Sequence, residues 1–331
     1  MSIDIDTLYE EYINDVTKRC INAIKYEKRL CEELKSLPLD ELKERAKNII
    51  ITNNQYRRLN KITPNTENNV GVFENEVIPR AYRLMFGNSD KVEKLFQSFR
   101  KKNKQIDEER SITEEEKERR KQVVRQFYNL KTEELYNELP AQTKEECLKR
   151  FYASIISMKM TDEMVRDEVA DILGTPIDTT IDRGNCTKAI IASLLKLEKK
   201  YDIKILKRLK EKNIESILHP IQLSESLSHY VKKSKTGYIK DIEEVKIGDI
   251  FLQFWEENKP THAMMCYDFD INDEEEEIPL LLGFSCNTKD IDGFYYYDGI
   301  TPQRGFILDV KKLLKDAIKS KVKAKQTCKE R

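Results

Sequence analysis

Glycine fills only 10 of the 331 positions, proline 9 and tryptophan 1. Tight turns draw on glycine, so its scarcity, with 36% of residues charged, suits long solvated helices better than an all-β fold. Net charge is lacking too, because 59 Lys and Arg balance 59 Asp and Glu. Without an overall field, nothing draws the whole chain to nucleic acid or to an anionic membrane, and such binding needs a local patch. Long apolar runs are also missing. The longest, Ile278 to Phe284, is strand-sized, whereas a membrane helix needs about 20 residues. The opening MSIDIDTLYEEY is acidic and has no apolar segment, which does not read as a secretory signal. A soluble protein made in the cytosol is expected, with neither a nucleic-acid partner nor a membrane span.

Cysteine is present without a framework. The seven, Cys20, Cys31, Cys147, Cys186, Cys266, Cys286 and Cys328, are odd in number and widely scattered, with no CxxC, and read as reduced thiols. Cys266 and Cys286 come near His262 in sequence, but the paired ligand spacing of a structural zinc site is absent. No metal and no cofactor are expected.

What the chain has in quantity is charge, 36% of its residues, in helical patterns over residues 1–174. Ile5, Leu8, Tyr9, Tyr12, Ile13, Val16, Cys20 and Ile24 recur at steps of three and four, one apolar stripe on a long helix that Pro38 closes. A second helix is expected over 39–51, then a polar loop from Ile51 to Asn69. A short helix from Val77 to Phe86 stops at Gly87, and Ser89 caps the next. Thr113 with Glu116 forms a capping-box pattern opening a helix to about Tyr136. Thr161 is expected to cap a last helix, ended by Gly174 and Pro176. The KERRK run at 117–121 follows the acidic EEE on the same helix, so i,i+4 pairing on a solvated face accounts for it. Nothing in this half reads as arranged for chemistry.

The pattern changes after Gly174. Residues 175–331 make a second expected domain, beginning with a helix from Cys186 to Leu195 that is apolar around most of its girth and therefore buried. Strands are expected over 247–254, 262–269, 278–287, 293–297 and 304–308, followed by a helix from about Val310 with a frayed basic tail. The fold class is α+β.

One constellation in this half carries chemistry. A cysteine is a useful nucleophile as thiolate, and a helix N-terminus promotes that form. Asn185 is a good N-cap, which puts Cys186 in the first turn, where its N–H faces a developing oxyanion. A base that titrates near neutrality comes from three histidines. His219 precedes a proline, His229 lies in a polar stretch, and His262 opens an apolar strand. If that strand pairs with 278–287 through the acidic loop INDEEEE, Asn287 comes beside His262 and orients the ring. Ser285 and Cys286 are nearby, and a shift of one residue in register exchanges one for the other.

A cysteine opening a buried helix, a histidine opening a later strand, and an asparagine ending the next strand resemble the papain-like cysteine peptidases in chain order. Gly184-Asn185-Cys186-Thr187 looks like the nucleophile motif of the cysteine/histidine-dependent amidohydrolase/peptidase branch and of related bacterial cell-wall endopeptidases. Val245 to Ile250, with Gly248-Asp249, looks like their Gly-Asp strand opening, and Thr261-His262 like the start of their base strand. The resemblance covers roughly residues 176–310. It implies a nucleophile helix packed on an antiparallel sheet, and a triad of Cys186, His262 and Asn287 acting on an amide bond of a protein or peptide. Peptide cleavage, deamidation and transamidation share that triad. No Gln stands shortly before Cys186, where papain places its oxyanion donor, so Asn185 or a backbone group takes that part. The absence of a signal and of wall-binding repeats points away from a cell-wall substrate and toward an effector or toxin delivered to another cell. The alternative class is a non-enzymatic interaction protein in which the papain-like part is an inactive scaffold. Neither the substrate nor the oligomeric state follows from the residues.

Overall fold

The computed structural model describes residues 3–59, 69–87, 89–174, 185–206, 220–232, 245–253, 262–271, 277–283, 294–296 and 305–329. Helices come first: α1 (Ile5–Leu34), α2 (Leu39–Leu59), α3 (Asn69–Phe86), α4 (Asp90–Glu108), α5 (Glu114–Asn137), α6 (Ala141–Leu173) and α7 (Asn185–Tyr201). Then follow α8 (Pro220–Ser226), a 3₁₀ turn (Ser228–Tyr230), β1 (Val231–Lys232), β2 (Ile250–Gln253), β3 (His262–Ile271), β4 (Glu277–Leu282), β5 (Phe294–Tyr296), β6 (Gly305–Leu308) and α9 (Val310–Lys329). Among the described residues every strand lies after residue 230, so the α+β division stands, with helices first and a small antiparallel sheet after them.

Several local expectations are corrected. Thr161 does not open a helix: α6 runs unbroken through it, and the residue is buried. Helix end signals yield to burial when both sides of the signal are packed. The expected loop at 51–69 is helical at both ends, since α2 reaches Leu59 and α3 starts at Asn69. The basic tail is not frayed at its start, because α9 continues to Lys329. Ser89 stands at the N-cap of α4 with extended backbone, but its side chain makes no capping hydrogen bond. Thr113 does cap α5, accepting from the Glu116 N–H at 3.2 Å. The Glu116 carboxylate goes to Arg119 and Arg120, and these bonds hold its pKa down at about 2. Both lysines of the KERRK run are paired as well, Lys117 with Glu114 and Lys121 with Asp107.

The chain divides into two compact units, residues 1–26 with 160–331, and residues 27–159. This differs from a boundary at 174. The stripe on α1 supplies the reason: Leu8, Tyr12, Val16 and Cys20 belong to the same core as α7, the sheet and α9. In residues 27–159 the helices pack on one another, α4 against α5 through Phe96, Phe99 and Tyr128, whose ring centroids lie 5.0–6.1 Å from the tyrosine. The buried hydroxyls of Thr132 and Ser154 bond within their own helices, to the Tyr128 carbonyl at 2.8 Å and to that of Phe151 at 2.7 Å.

In the other unit the strand order is β1-β6-β2-β3-β4-β5, with every pair antiparallel. Strand alternation sorts its side chains between two cores. Ile250, Leu252, Ala263, Met265, Leu282 and Leu308 join α1, α7 and α9. Phe251, Met264, Cys266, Leu281 and Ile307 pack together with Val245 on the opposite face.

Candidate functional site: the start of α7 and the start of β3

Asn185 is the first residue of α7 rather than the cap before it, and Cys186 is the second, so the backbone of Cys186 lies in the first turn. Every residue from Thr187 to Leu195 is buried, so α7 is enclosed around its whole girth over that stretch. A helix buried in this way must satisfy its polar groups inside the protein. Lys188 meets Asp162 of α6 at 2.5 Å, both out of water. The Ser193 hydroxyl lies 2.9 Å from Asp15 Oδ2 and from the Ala189 carbonyl oxygen. Asp15 also accepts from Arg19 at 2.6 Å and from Lys196. Burial works against the charge of Asp15, but the hydrogen bonds from Lys196, Arg19 and Ser193 outweigh it and hold the carboxyl below its ordinary range. The C-terminal end is fixed by Glu198, whose Oε1 accepts the N–H groups of Ile205 and Leu206 at 2.6 Å. α7 therefore sits in a rigid seat, pinned to α1 and α6 by ionic groups and packed against β3.

β3 begins at His262, and two features set its register. The first is the turn at Val245–Asp249. Gly248 has φ +90°, and a Cβ there would lie 2.6 Å from Tyr9 Oη and 2.9 Å from Ile13 Cδ1, so only glycine fits. The Gly248 N–H donates to the Cys266 carbonyl at 2.7 Å, and the Cys266 N–H donates to that of Asp249 at 3.0 Å. Asp249, buried, closes the turn by accepting the Lys246 N–H at 3.2 Å. Tyr9 of α1 completes it, donating to the Ile247 carbonyl at 2.6 Å. Burial, then the nearby Asp249, raise the Tyr9 pKa, so its hydroxyl stays a donor.

The second feature is the ladder itself. Ile250 to Gln253 pair with Met265 to His262, and Gln253 pairs on its other side with Gly305. Gln253 is thus the residue directly across from His262, and directly opposed residues share a sheet face. Sequence reasoning placed Gln253 in a strand without giving it a part. The antiparallel pairing of 250–253 with 262–265 is the signal that singles it out.

Of the residues expected at the site, the structure places Asn185 and Cys186 at the start of one element and His262 at the start of another that packs against it. The pairing of β3 with β4 is antiparallel as expected and is described as far as Met265 with Leu282. Asn287, and its alternatives Ser285 and Cys286, lie outside the described residues, as does His219. His229 is exposed on the 3₁₀ turn, edge-on to Tyr230 at 5.2 Å.

The described thiols are those of Cys20, Cys31, Cys147 and Cys266. Cys20 and Cys266 are pushed up to about 12 by burial, and Cys147 to about 11, which makes all three inert hydrophobes in practice. Cys31 is raised as well, again by burial first. All four are free. Among the described residues no group of three His, Cys, Asp or Glu is arranged to hold a metal ion, and no helix is long and apolar enough to cross a membrane. Comparison with protein-family models, with curated proteins and with solved structures finds no match to this chain.

Proposed function

We propose that the unit containing α7 and the sheet is a papain-like thiol hydrolase acting on an amide bond, with Cys186 as nucleophile and His262 as base. The observation that carries this reading is that Cys186 stands in the first turn of a helix packed against the strand that His262 opens. The unpaired N–H groups of the first turn favour a thiolate and can receive an oxyanion. The Cys186 sulfur attacks the carbonyl carbon, forming a C–S bond while the carbonyl electron pair moves to oxygen. On collapse the C–N bond breaks and the His262 imidazolium gives its proton to the leaving nitrogen. Water, deprotonated by His262, then attacks the thioester, releasing the acid and restoring the thiol. An amine in place of that water makes the same steps a transamidation.

Asn287 is the proposed partner that orients the ring, and Gln253, across the ladder from His262, is a second candidate for that part. β3 sends Ala263 and Met265 to the core that contains α7. Position 262 alternates with these onto the face of Met264, opposite that core, so the reading requires the His262 ring to turn around the end of the ladder to reach the α7 N-terminus. The substrate is a protein or peptide, and a role as an effector or toxin acting on another cell's proteins rests on analogy with the resembled superfamily.

The test is the alkylation rate of each cysteine by iodoacetamide against pH, resolved by mass spectrometry on the native protein. Cys186 is expected to react at least about 10-fold faster than Cys31, and to stay reactive below pH 7, where a thiol of ordinary pKa, about 8.5, is mostly protonated. His262→Ala is expected to return Cys186 to ordinary behaviour. A Cys186 profile like that of a free thiol, unchanged by His262→Ala, leaves the non-enzymatic scaffold as the reading.

A further inference from the structure

One helix in residues 27–159 carries an apolar stripe on its outside. On α5, Val123, Phe127 and Leu130 are 58%, 51% and 59% exposed, while Tyr128, Thr132 and Tyr136 form its buried side. Steps of four and three at 100° per residue put the three side chains within an arc of about 60°. The same arc continues to Arg119, four residues before Val123, and to Glu134, four residues after Leu130. Their side chains are 73% and 61% exposed, and each is engaged by an i,i+3 pair on its own helix, Arg119 with Glu116 and Glu134 with Lys131. Surface pairs of this kind exchange at little cost.

Read along the helix, the stripe runs base, three apolar residues, acid. Turned end for end, it complements itself. We infer that α5 is a self-association surface whose occupant is α5 of a second copy, packed antiparallel about a twofold axis beside Phe127. In that pairing Arg119 faces Glu134 of the second copy, Val123 faces its Leu130, and the two Phe127 rings meet at the axis. The twofold makes each contact occur twice, as an isologous interface requires. A parallel pairing would set Arg119 against Arg119 and Glu134 against Glu134, so the charges select the antiparallel arrangement. The stripe is short beside the total of about 1,200–2,000 Å² that a stable interface buries, so the dimer is weak and depends on concentration.

Sedimentation velocity of the full chain from about 1 µM to about 1 mM tests this. The parent is expected to move from monomer toward dimer across that range, and Phe127→Glu to stay monomeric. Arg119→Glu and Glu134→Arg, alone, are each expected to weaken association at least 10-fold, because each sets like charges across the axis. Mixed in equal amounts, they restore opposite charges at both ends and are expected to associate at least 10-fold more strongly than either alone. All three substitutions are at exposed positions, and circular dichroism checks the helix content of each. A parent that stays monomeric overturns the inference, leaving the stripe to another protein's amphipathic helix or to a lipid surface. A dimer that survives Phe127→Glu, or a mixture no stronger than its components, overturns it as well.

Discussion

Lys188 on α7 and Asp162 on α6 form an ion pair at 2.5 Å with both side chains out of contact with water. Such a pair adds little net stability over apolar residues, yet breaking it is expensive because it strands a buried charge. Lys188→Met is expected to cost about 3–5 kcal/mol in denaturant unfolding. Adding Asp162→Asn removes the stranded charge and is expected to recover part of that loss. A single variant as stable as the parent would show that the pair does not hold α7 in its seat.

The turn at Gly248 makes a second prediction. Gly248→Ala introduces a Cβ against Tyr9 and Ile13 at a positive φ, and the backbone strain alone is worth about 1–3 kcal/mol. Tyr9→Phe loses the hydrogen bond to the Ile247 carbonyl and is expected to cost about 1 kcal/mol. Because the two sites touch, the double variant is expected to lose less than the sum, read from unfolding midpoints.

Glu27 gives a pH dependence of defined sign. Burial pushes its pKa from 4.5 up to about 7, with Lys28 opposing. The folded protein holds this proton more tightly than the unfolded chain, so its contribution is fully present below 4.5 and is lost as pH rises toward 7. Glu27→Gln is expected to remove that loss. The difference in unfolding midpoint between parent and variant should therefore grow in favour of the variant between pH 4.5 and 7, then level off.

The buried thiols supply a further check. With Cys186, Cys286 and Cys328 changed to Ser, native protein at pH 7 is expected to label slowly at Cys20, Cys147 and Cys266, whose thiols burial pushes up to about 11–12. Denaturation should expose all three and bring them to the rate of ordinary thiols. Fast native labelling at Cys266 would mean that the sheet face carrying Met264 and Phe251 opens readily to solvent.

How much of this was legible in the residues varies with the kind of statement. The α1 stripe was read correctly from its spacing, and Leu8, Tyr12, Val16 and Cys20 are all buried. The closure at Pro38, the stop at Gly174 with φ +71°, the buried α7 and five of the six described strands were readable in the same way. β1 was not, because its two residues are strand only through pairing with β6. Thr161 misled because a cap-forming residue inside a buried helix gives the same local signal as one at a helix start. The polar composition of 51–59 misled because residues without an apolar stripe still extend a helix when nothing breaks it.

The sequence by itself determined where apolar faces lie, which elements those faces build, and which residue types stand at their ends, because period, caps and breakers act over a few residues. Only the tertiary structure decided which faces meet. It set Tyr9 against Gly248, Asp15 beside Ser193, Lys188 on Asp162, and Gln253 across from His262. Those pairings depend on complementary shape and shared burial between segments far apart in the chain, and local patterning carries no record of a distant partner.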